Sequence, residues 1–590
     1  MTFEMRNFNP DSKLAVVMRS LARWMGKSVL KLCKKHITLC KNMLLKTLKD
    51  KRINKKGAKK MKEILITQEM AGENATKILV ETLTKEENKK DTLIKFEKGT
   101  YHFYEDDSYE KFFGITNNDF GVKKIAMPIF GCENITIDGG ESVFIMHRQT
   151  FPIFATESKG ITIKNMIFDR IMSPVAPYSI TDISDEGFLL KFDREITPYT
   201  VKDGRVIFHR ENRDTDMLDR VLSMHKAEYH HVRYLAARNC KEDLTNLAAP
   251  HFLVDAEERE NGVYFRYCEN TPTKCDYDEG QRFITMLDGS REITIACFDK
   301  SEQILVKDVI VRRGLGMGIL AQLSKDIEVD NFSSDVEFHG ENVSFTADAL
   351  HFVHCDGKVE VHNCHITDIM DDSINFHGNY TGIKKVEKNR IVGKEMHQQT
   401  YYFNQYVPGD VVRLIDAEKL DIVAHFKVEK SGFTGDDGIE MELIGEFLDG
   451  FENASENCYI ENYMRVPEAH VHHNRFERFP HIRISGGKKM VVEDNVLIDS
   501  SNGVLSSDLI AYWYETGRIN DLTIRNNIID TCLAEGILIY VAGYDENTPL
   551  VHDRIEISGN TIKNTGTHYK AEPISAKGVK NLVLKDNIIE

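Results

Sequence analysis

The 590-residue chain lacks any run near the about 18 consecutive apolar residues that a membrane-spanning helix requires. It also begins without the compact apolar core and small-residue cleavage site of a secretory signal peptide. Its 11 cysteines are odd in number and form neither a disulfide-like framework nor a Cys-x-x-Cys pair. These absences predict a cytoplasmic protein with reduced, mostly buried thiols, whereas a misassigned N-terminus would allow a secreted or periplasmic one.

Basic residues are outnumbered by acidic ones outside the segment 1–61. That segment holds 17 Lys and Arg against 3 Asp and Glu, whereas the rest of the chain holds 59 against 89, a net charge of −30. With this net negative charge, the chain outside the segment 1–61 repels the phosphates of nucleic acid and the charges of other polyanions. The composition therefore favours a neutral ligand and predicts no nucleic-acid partner and no cofactor.

The N-terminal segment 1–61 differs in character from the rest of the chain. Apolar residues recur there at helical spacing among many Lys and Arg side chains, at Val17, Leu21, Trp24 and Leu32. The pattern predicts a basic amphipathic helix. Such a helix lies on a membrane surface, binds an acidic partner, or is an extension appended before an independent start at Met61. We favour the appended extension.

Two-residue Asn-Gly turns, which mark antiparallel hairpins, are infrequent, and another short pattern recurs instead. Alternating apolar residues end in Asn or Asp, at Ile161–Asn165, Ile304–Asp308, Ile327–Asn331 and Val359–Asn363, and again around Asn474, Asn495, Asn527, Asn560 and Asn587. The copies follow one another at unequal steps, as from 308 to 331, from 331 to 363 and from 474 to 495. A constant strand motif at variable steps predicts a right-handed parallel β-helix, with each Asn in a turn of left-handed backbone geometry.

Two stretches interrupt the repeat, residues 175–300 and 380–465. They contain strand-like pieces such as Gly204–Phe208 and Pro408–Leu414 without the Asn-ended turn. We interpret them as inserted antiparallel, barrel-like β subdomains that wall a groove. The sequence therefore predicts an all-β fold with a helical extension at 1–61, β-helix rungs at 62–174, 301–379 and 466–590, and the two insertions between them.

The densest group of chemically capable residues lies in two segments one rung apart. Thr346–Phe352 contains Asp348, and Met370–Gly378 contains Asp371 and Asp372. The step from Asp348 to Asp371 equals the step from Asp308 to Asn331 in the repeat. Rungs stacked at about 4.8 Å therefore place these carboxylates side by side. Crowding raises the pKa of at least one of them, which supplies a protonated general acid beside an ionised base.

These segments resemble the motifs of glycoside hydrolase family 110, the inverting exo-α-1,3-galactosidases. The resemblance covers residues 62–590 and rests on Asp348–Phe352, on Met370–Gly378, on the spacing between them and on the rung Gly316–Gln322. It implies a β-helix with two barrel insertions that releases terminal α-1,3-linked galactose. The expected partners are α-galactoside oligosaccharides, either linear Gal-α-1,3-Gal or the branched, fucosylated blood-group B determinant.

By the same resemblance, the family's catalytic aspartates map onto Asp348, Asp371 and Asp372. Asp371 is then the general acid, and Asp348 and Asp372 hold the attacking water. Adjacent rungs, however, favour the roughly 5 Å carboxyl separation of retaining enzymes over the roughly 6.5–9.5 Å of inverting ones. We follow the resemblance, because side chains on neighbouring rungs can splay.

Five residues are expected to contact the sugar around these aspartates. Trp513 is either a stacking platform or a core aromatic, and the others flank the aspartates or precede them by one rung. The candidate substrate-binding residues are His351, Asn375, His377, Gln322 and Trp513.

A metal site is not predicted. One stretch is rich in His and Cys, but its spacings match no zinc motif, and strand alternation sends neighbouring side chains to opposite faces. The residues concerned are His351, His354, Cys355, His362, Cys364 and His365.

The main alternative is a polygalacturonase-like hydrolase on the same fold. That group typically shows Asn-Thr-Asp, Gly-His-Gly and Arg-Ile-Lys, where this chain has Thr346–Asp348, Phe376–Gly378 and Arg483–Ser485. The acidic body would also repel pectin. A non-catalytic glycan-binding β-helix and a calcium-dependent lyase are further alternatives.

Overall fold

The computed structural model describes residues 61–590, apart from 210, 212–214, 217–224, 227–252, 268–278, 281, 288–290, 292, 341–342, 419, 436–437, 445–456, 509–512 and 542–548. Residues 1–60 of the predicted helical extension therefore lie outside the described residues. Among the residues that are described, no helix has the length and apolarity that crossing a bilayer demands.

Parallel strand pairing builds a β-helix with three faces, and the strands are numbered β1–β45 in chain order. Face 1 comprises β1 (Lys62–Ile66), β2 (Lys90–Phe96), the first parts of β6 (Glu133–Met146), β8 (Lys159–Arg170), β19 (Glu302–Val311) and β21 (Lys325–Ser334), then β23 (Asp356–His362), β31 (Glu468–His472), β34 (Lys489–Glu493), β38 (Asp521–Arg525), β41 (His552–Ser558) and β44 (Val579–Lys585). Face 2 comprises β3 (Thr100–Phe103), the second parts of β6, β8, β19 and β21, then β24 (His365–Thr367), β32 (Arg475–Phe479), β35 (Val496–Ser500), β39 (Ile528–Cys532), β42 (Thr561–Lys563) and β45 (Ile588–Ile589).

Face 3 carries the candidate site. It comprises the second part of β5 (Asp119–Phe130), β7 (Phe151–Thr156), β18 (Ala296–Asp299), β20 (Ile319–Gln322), β22 (Leu350–Val353), the first residues of β25 (Ile374–Glu387), β33 (Ile482–Ile484), β36 (Val504–Asp508), β40 (Ile537–Val541) and β43 (Ile574–Ala576). The predicted parallel β-helix is thus confirmed.

The core follows from alternation along each strand. In β8, Ile161 and Ile163 point inward and are fully buried, whereas Thr162 and Lys164 between them are partly exposed. Stacking such rungs buries one continuous apolar core, which is the main stabilising contribution of a solenoid.

Short helices lie at the N-terminal end of the β-helix. They are α1 (Gln68–Ala71) and α2 (Ala75–Thr84), and the described residues also include 3₁₀ turns at Glu86–Asn88, Glu105–Asp107, Val336–His339 and Gln398–Thr400. The side chain of Asn74 caps α2 by accepting from the N–H of Thr76. Leu79 and Leu83 of α2 are buried in the β-helix core, so the helix covers apolar surface of the first rungs.

The Asn residues of the C-terminal repeat form a buried side-chain ladder between faces 1 and 2. The Oδ1 atom of Asn527 accepts from both the backbone N–H and the Nδ2 of Asn495, each within 3.0 Å, and the same contacts link the ladder from Asn474 to Asn587. The expectation that every repeat Asn is left-handed is wrong for these copies. The positive φ falls one residue earlier, at His473, Asp494, Asn526, Gly559 and Asp586, whereas Asn165, Asn331 and Asn363 are themselves left-handed.

Between β8 and β18 lies an antiparallel region. A six-stranded sheet runs in the order β14 (His225–Lys226), β17 (Arg282–Met286), β9 (Val175–Thr181), β10 (Gly187–Phe192), β16 (Gly262–Tyr267) and β15 (Leu253–Arg259). Beside it, β11 (Tyr199–Lys202), β12 (Arg205–Phe208) and β13 (Thr215–Asp216) form a small sheet. Since β18 at Ala296–Asp299 pairs with β7 and β20, the chain has rejoined the β-helix before residue 300.

A closed antiparallel barrel follows β22. Its ring runs β25, β26 (Arg390–Glu395), β29 (Gly438–Ile444), β28 (Ile422–Phe433), β27 (Val411–Asp416), β30 (Cys458–Glu461) and back to β25. Strand β25 is shared: Ile374–Phe376 pair within the β-helix and Tyr380–Glu387 within the barrel. Two further elements approach the site, the hairpin of β4 (Tyr109–Ile115) with β5, and β37 (Glu515–Thr516), which pairs with Gly378 and Asn379.

Candidate active site

The aspartates lie where three neighbouring strands of face 3 begin. Leu350 of β22, Ile374 of β25 and Ile482 of β33 are register partners, so Asp348 and Asp372 hold equivalent positions two residues before their strands. The rung step therefore runs from Asp348 to Asp372, and the expectation that Asp348 is matched one rung away by Asp371 is wrong by one position. Asp371 instead sits at the turn, directly before Asp372 of the stacked pair.

The three carboxylates nevertheless meet. One oxygen from each of Asp348, Asp371 and Asp372 lies within 4.8 Å of the other two. Asp348 and Asp372 are buried, whereas the side chain of Asp371 is 37% exposed. The cluster thus has two carboxylates in the floor of the site and one that solvent or a ligand can reach.

Two basic side chains hold the two adjacent carboxylates. Arg291 donates to Asp371 Oδ2 at 2.7 Å and is itself fixed by donating to the carbonyl of Thr346 at 2.8 Å. His481, directly before β33, places Nε2 2.7 Å from Asp372 Oδ1. Each partner orients its carboxylate and offsets part of the repulsion within the cluster.

A chain of hydrogen bonds determines where the proton of Asp348 lies. The carbonyl of Gly378 can only accept, so His377 donates to it from Nδ1 at 2.8 Å. A neutral His377 then accepts at Nε2, and the donor is His351 Nε2 at 2.9 Å. This leaves a lone pair on His351 Nδ1, which lies 2.6 Å from Asp348 Oδ2. When both imidazoles are neutral, Asp348 must be the protonated donor.

Burial of these groups favours the same protonation states, neutral imidazoles and a protonated Asp348. Desolvation lowers the pKa of His351 and of His377 to about 4 each, so both imidazoles are neutral near pH 7. Burial raises the pKa of Asp348 well above its usual value, and the negative charges of Asp371 and Asp372 raise it further. The chain from Asp348 to Gly378 therefore stores one proton on a carboxyl group.

A buried ion pair closes the other side of the site. Burial alone would raise the pKa of Glu515, but Arg483 and the neighbouring histidines hold it below its usual value. Arg483 Nε lies 2.9 Å from Glu515 Oε2, and Asn117 at the β4–β5 hairpin tip donates to Glu515 Oε1 at 3.3 Å. Two guanidinium groups, those of Arg291 and Arg483, thus face four carboxyl groups, those of Asp348, Asp371, Asp372 and Glu515. A neutral sugar that becomes positive at its transition state suits such a site.

Two of the predicted sugar-contacting residues are Asn375, whose side-chain acceptor is unpaired among the described residues, and Trp513, which lies two residues before Glu515. Asn375 lies in register between His351 and Arg483, and its buried Oδ1 has no hydrogen-bond partner within the described part of the chain. A buried acceptor in that state is suited to a ligand hydroxyl. Trp513 is half-buried two residues before Glu515, and its ring centre lies 4.3 Å from that of His397.

Gln322 is placed differently. Its amide donates to the carbonyl of Gly114 at 3.1 Å and to Asp299 Oδ1 at 2.9 Å, and it accepts from the N–H of Thr116 at 3.1 Å. One amide hydrogen and the amide oxygen thus bind the β4–β5 hairpin, and the other amide hydrogen binds Asp299 of β18, so Gln322 links the hairpin to face 3. The structure therefore indicates a positioning role for Gln322 rather than contact with a sugar.

The His- and Cys-rich stretch is not brought together. The thiols of Cys355 and Cys364 are buried in the apolar core, whereas His351 belongs to the outer surface of face 3 and His362 to that of face 1. The three clustered aspartates do have the spacing for a cation. However, one oxygen of Asp348 shares a proton with His351 and one of Asp371 accepts from Arg291, which favours proton chemistry there.

Sequence reasoning missed Arg291, His481, Arg483 and Glu515. Arg483 had a usable signal, because it lies on the next rung in register with Asn375. Glu515 and Arg291 had none, since each reaches the site from a segment outside the repeat.

No protein-family model matches the chain. Curated relatives do: alpha-1,3-galactosidase A of Shewanella woodyi is 25% identical over 78% of this chain and 74% of its own length. Alpha-1,3-galactosidase B of Bacteroides fragilis is 27% identical over 84% of this chain and 85% of its own length. Among solved structures, a polygalacturonase from Erwinia carotovora aligns with 90% of this chain and 94% of its own at 9% identity and a TM-score of 0.39.

Fold, carboxylate cluster and curated relatives together define a glycosidase of the parallel β-helix class. Within that class the chain is a homologue of the alpha-1,3-galactosidases, and its resemblance to glycoside hydrolase family 110 is confirmed.

Proposed function

We propose that the chain is an exo-acting glycoside hydrolase that releases terminal α-1,3-linked galactose from glycans with inversion. The observation that carries the proposal is the buried carboxyl group of Asp348, which lies 2.6 Å from His351 Nδ1 and within 4.8 Å of two further carboxylates. The names of the curated relatives supply the sugar and the linkage. The acidic body supports a neutral glycan over a pectin-like polyanion.

The reaction needs a proton at the glycosidic oxygen and an oriented water at the anomeric carbon. By resemblance, Asp371 donates the proton, and Asp348 and Asp372 hold the water. Asp371 is the solvent-reachable member of the cluster, which suits contact with a leaving group. The hydrogen-bond chain through His351 favours a second division, in which Asp348 is the acid, because that carboxyl already carries a proton.

Galactosyl fluoride of α configuration separates the two divisions. Fluoride leaves with little acid assistance, so a variant lacking only the acid should hydrolyse this substrate far better than a glycan. If Asp371→Asn shows this rescue and Asp348→Asn does not, Asp371 is the acid. The opposite pattern assigns the acid role to Asp348.

Retention is the second mechanistic candidate, and one distance favours it. Carboxylate oxygens within 4.8 Å of one another are closer than the roughly 6.5–9.5 Å between carboxyl groups of inverting enzymes. Proton NMR of the first product decides between them. β-Galactose appearing first supports inversion, and α-galactose appearing first shows retention.

The substrate is tested by parallel digestion of linear Gal-α-1,3-Gal, the fucosylated blood-group B oligosaccharide and polygalacturonate. We expect galactose from at least one of the two galactosides and no product from polygalacturonate. Comparison of the two galactosides also identifies the preferred glycan. Release of galacturonate, or no turnover of either galactoside, would contradict the proposed function.

A further inference from the structure

The outer surface of face 1 carries two histidines and a carboxylate on neighbouring strands. Glu360 of β23 is the register partner of His470 of β31, and His362 of His472. Residues between them, such as Val471, point into the core. Side chains alternate along a strand and adjacent strands lie about 4.8 Å apart, so these four polar groups form a two-by-two grid on one surface.

Three members of the grid converge. One ligand-type atom from each of Glu360, His470 and His472 lies within 4.8 Å of the other two. His472 Nε2 is 3.1 Å from Glu360 Oε1, and the ring centres of His470 and His472 are 4.0 Å apart. His362 packs parallel to His472, with an interplanar angle of 8°, and so fixes the plane of that imidazole.

Outer partners prepare both imidazoles for a cation. Glu493 Oε1 lies 2.7 Å from His470 Nε2, so a neutral His470 that donates there keeps a lone pair on its other nitrogen. His473 Nδ1 lies 2.8 Å from His472 Nδ1 and can accept its proton, which leaves Nε2 of His472 for a metal. Carboxylates and other acceptors behind ligand histidines are the usual means of fixing the tautomer in metal sites.

We propose that Glu360, His470 and His472 form a binding site for a divalent transition metal of the Zn²⁺ class. Two imidazoles and a carboxylate are ligands that Zn²⁺ accepts, with solvent completing the coordination. The side chains of Glu360, His470 and His472 are 47%, 41% and 15% exposed, so a metal ion reaches them without unfolding.

The position of the site gives it a structural role. Strand β23 ends at His362 and β31 begins at Glu468, so the whole barrel lies between them in sequence. A metal held by both strands joins the rung before the barrel to the rung after it. Such a link closes a long loop, which constrains the unfolded chain more than the folded one.

The site is tested by zinc titration of the full-length protein, from which metal has first been removed with EDTA and the EDTA then removed by dialysis. Isothermal titration calorimetry should show one saturable Zn²⁺ site in the wild type. The double variant His470→Gln/His472→Gln should bind no Zn²⁺ there, or bind it at least about 100-fold more weakly. That loss exceeds the roughly 10- to 100-fold effect of removing an outer partner of a ligand. The matched control is His365→Gln on face 2. His365 pairs with Glu477 at 3.1 Å and is exposed, so its loss should leave the Zn²⁺ affinity unchanged.

Two further readouts separate this site from the aspartate cluster. Zn²⁺ should raise the melting temperature of the wild type and of His365→Gln but not of the double variant. Bound Co²⁺ should show visible absorption typical of nitrogen ligands, again only when His470 and His472 are present. Absence of saturable Zn²⁺ binding, or equal binding by the double variant, would overturn the site. Turnover of a galactoside should not change in any of these variants, because face 1 lies on a different surface from the aspartates.

Discussion

At the scale of single residues, the site depends on the location of one proton. Three carboxylates within 4.8 Å cannot all be ionised without strong repulsion, and the His351–His377 chain determines which one is neutral. The histidines are positioning residues for Asp348, since neither tautomer can change without breaking the bond to the carbonyl of Gly378.

We expect Asp371→Asn and Asp372→Asn each to lower kcat on an α-1,3-galactoside by about 10²–10⁴-fold, the usual contribution of general acid–base catalysis. An amide keeps the shape of the carboxylate but cannot transfer the proton. Asp356→Asn is the control, because Asp356 pairs with Lys488 at 2.7 Å on face 1, away from the site. Wild-type kcat in either active-site variant would show that the site is misplaced.

The direction of the histidine chain predicts a shift in pH dependence. In His377→Leu the acceptor for His351 Nε2 is lost, so His351 can turn its proton toward Asp348 and stabilise the ionised carboxylate. If Asp348 is the acid, the alkaline limb of the kcat pH profile should then move to lower pH; if Asp348 holds the water, the acidic limb should move to lower pH instead. His377→Gln, whose carbonyl can still accept from His351, should shift less. His354→Gln is the buried control, since His354 Nε2 accepts from the N–H of Asn379 instead. If neither limb moves in His377→Leu, the two histidines do not control the titration of Asp348.

Replacing the carboxyl group of Asp348 by an amide should lower activity and, as the pH rises, increase the stability of the fold. Because folding raises the pKa of Asp348, the stability that its proton contributes is lost as the pH rises through the folded pKa. The amide of Asp348→Asn stays neutral and can still donate to His351 Nδ1. The variant should therefore be severely impaired in turnover, equal to the wild type in melting temperature at low pH, and increasingly more stable as the pH rises. A melting temperature below that of the wild type across the whole pH range would contradict a protonated Asp348.

At the scale of elements, the asparagine ladder holds the C-terminal rungs in register. Asn527 is buried within the ladder, whereas Asn587 at its end is half-exposed. Asn527→Ala leaves two buried donors of Asn495 unpaired, and each such donor costs roughly 1–3 kcal/mol. We expect a loss of about 2–6 kcal/mol in the free energy of unfolding for Asn527→Ala and clearly less for Asn587→Ala, where water replaces the lost acceptor. Urea unfolding measures both, and equal losses would show that burial does not set the cost.

Elements also show what the sequence could predict. The β-helix was predictable because alternation and the Asn-ended turn recur in each rung, and the aspartates because they lie on adjacent rungs. The register was missed by one residue, since a turn can lengthen by one position without changing the strand motif. Arg291, Glu515 and Asn117 were not predictable, because each comes from a connection or hairpin whose path depends on tertiary packing. Gln322 was assigned to the sugar because nothing in its own strand shows the hairpin that uses its amide.

At the scale of the whole molecule, all residues of the site belong to the β-helix and its insertions. The apolar core that supports them runs from Ile66 to Ile562 and is closed at its first rungs by α2. We expect that deleting residues 1–60 leaves a chain that folds and keeps its kcat and KM within about twofold, as is usual for changes remote from structural and catalytic contacts. Gel filtration and steady-state kinetics measure this. Loss of soluble or active protein would show that the segment 1–61 is required.

Strand β25 belongs to two cooperative units at once, since it pairs within the β-helix at Ile374–Phe376 and within the barrel from Tyr380 onward. Asn375 and His377 lie on that shared strand beside the aspartates. The barrel therefore cannot be exchanged between relatives as a detachable cassette, because the cut would fall within the strand that shapes the active site.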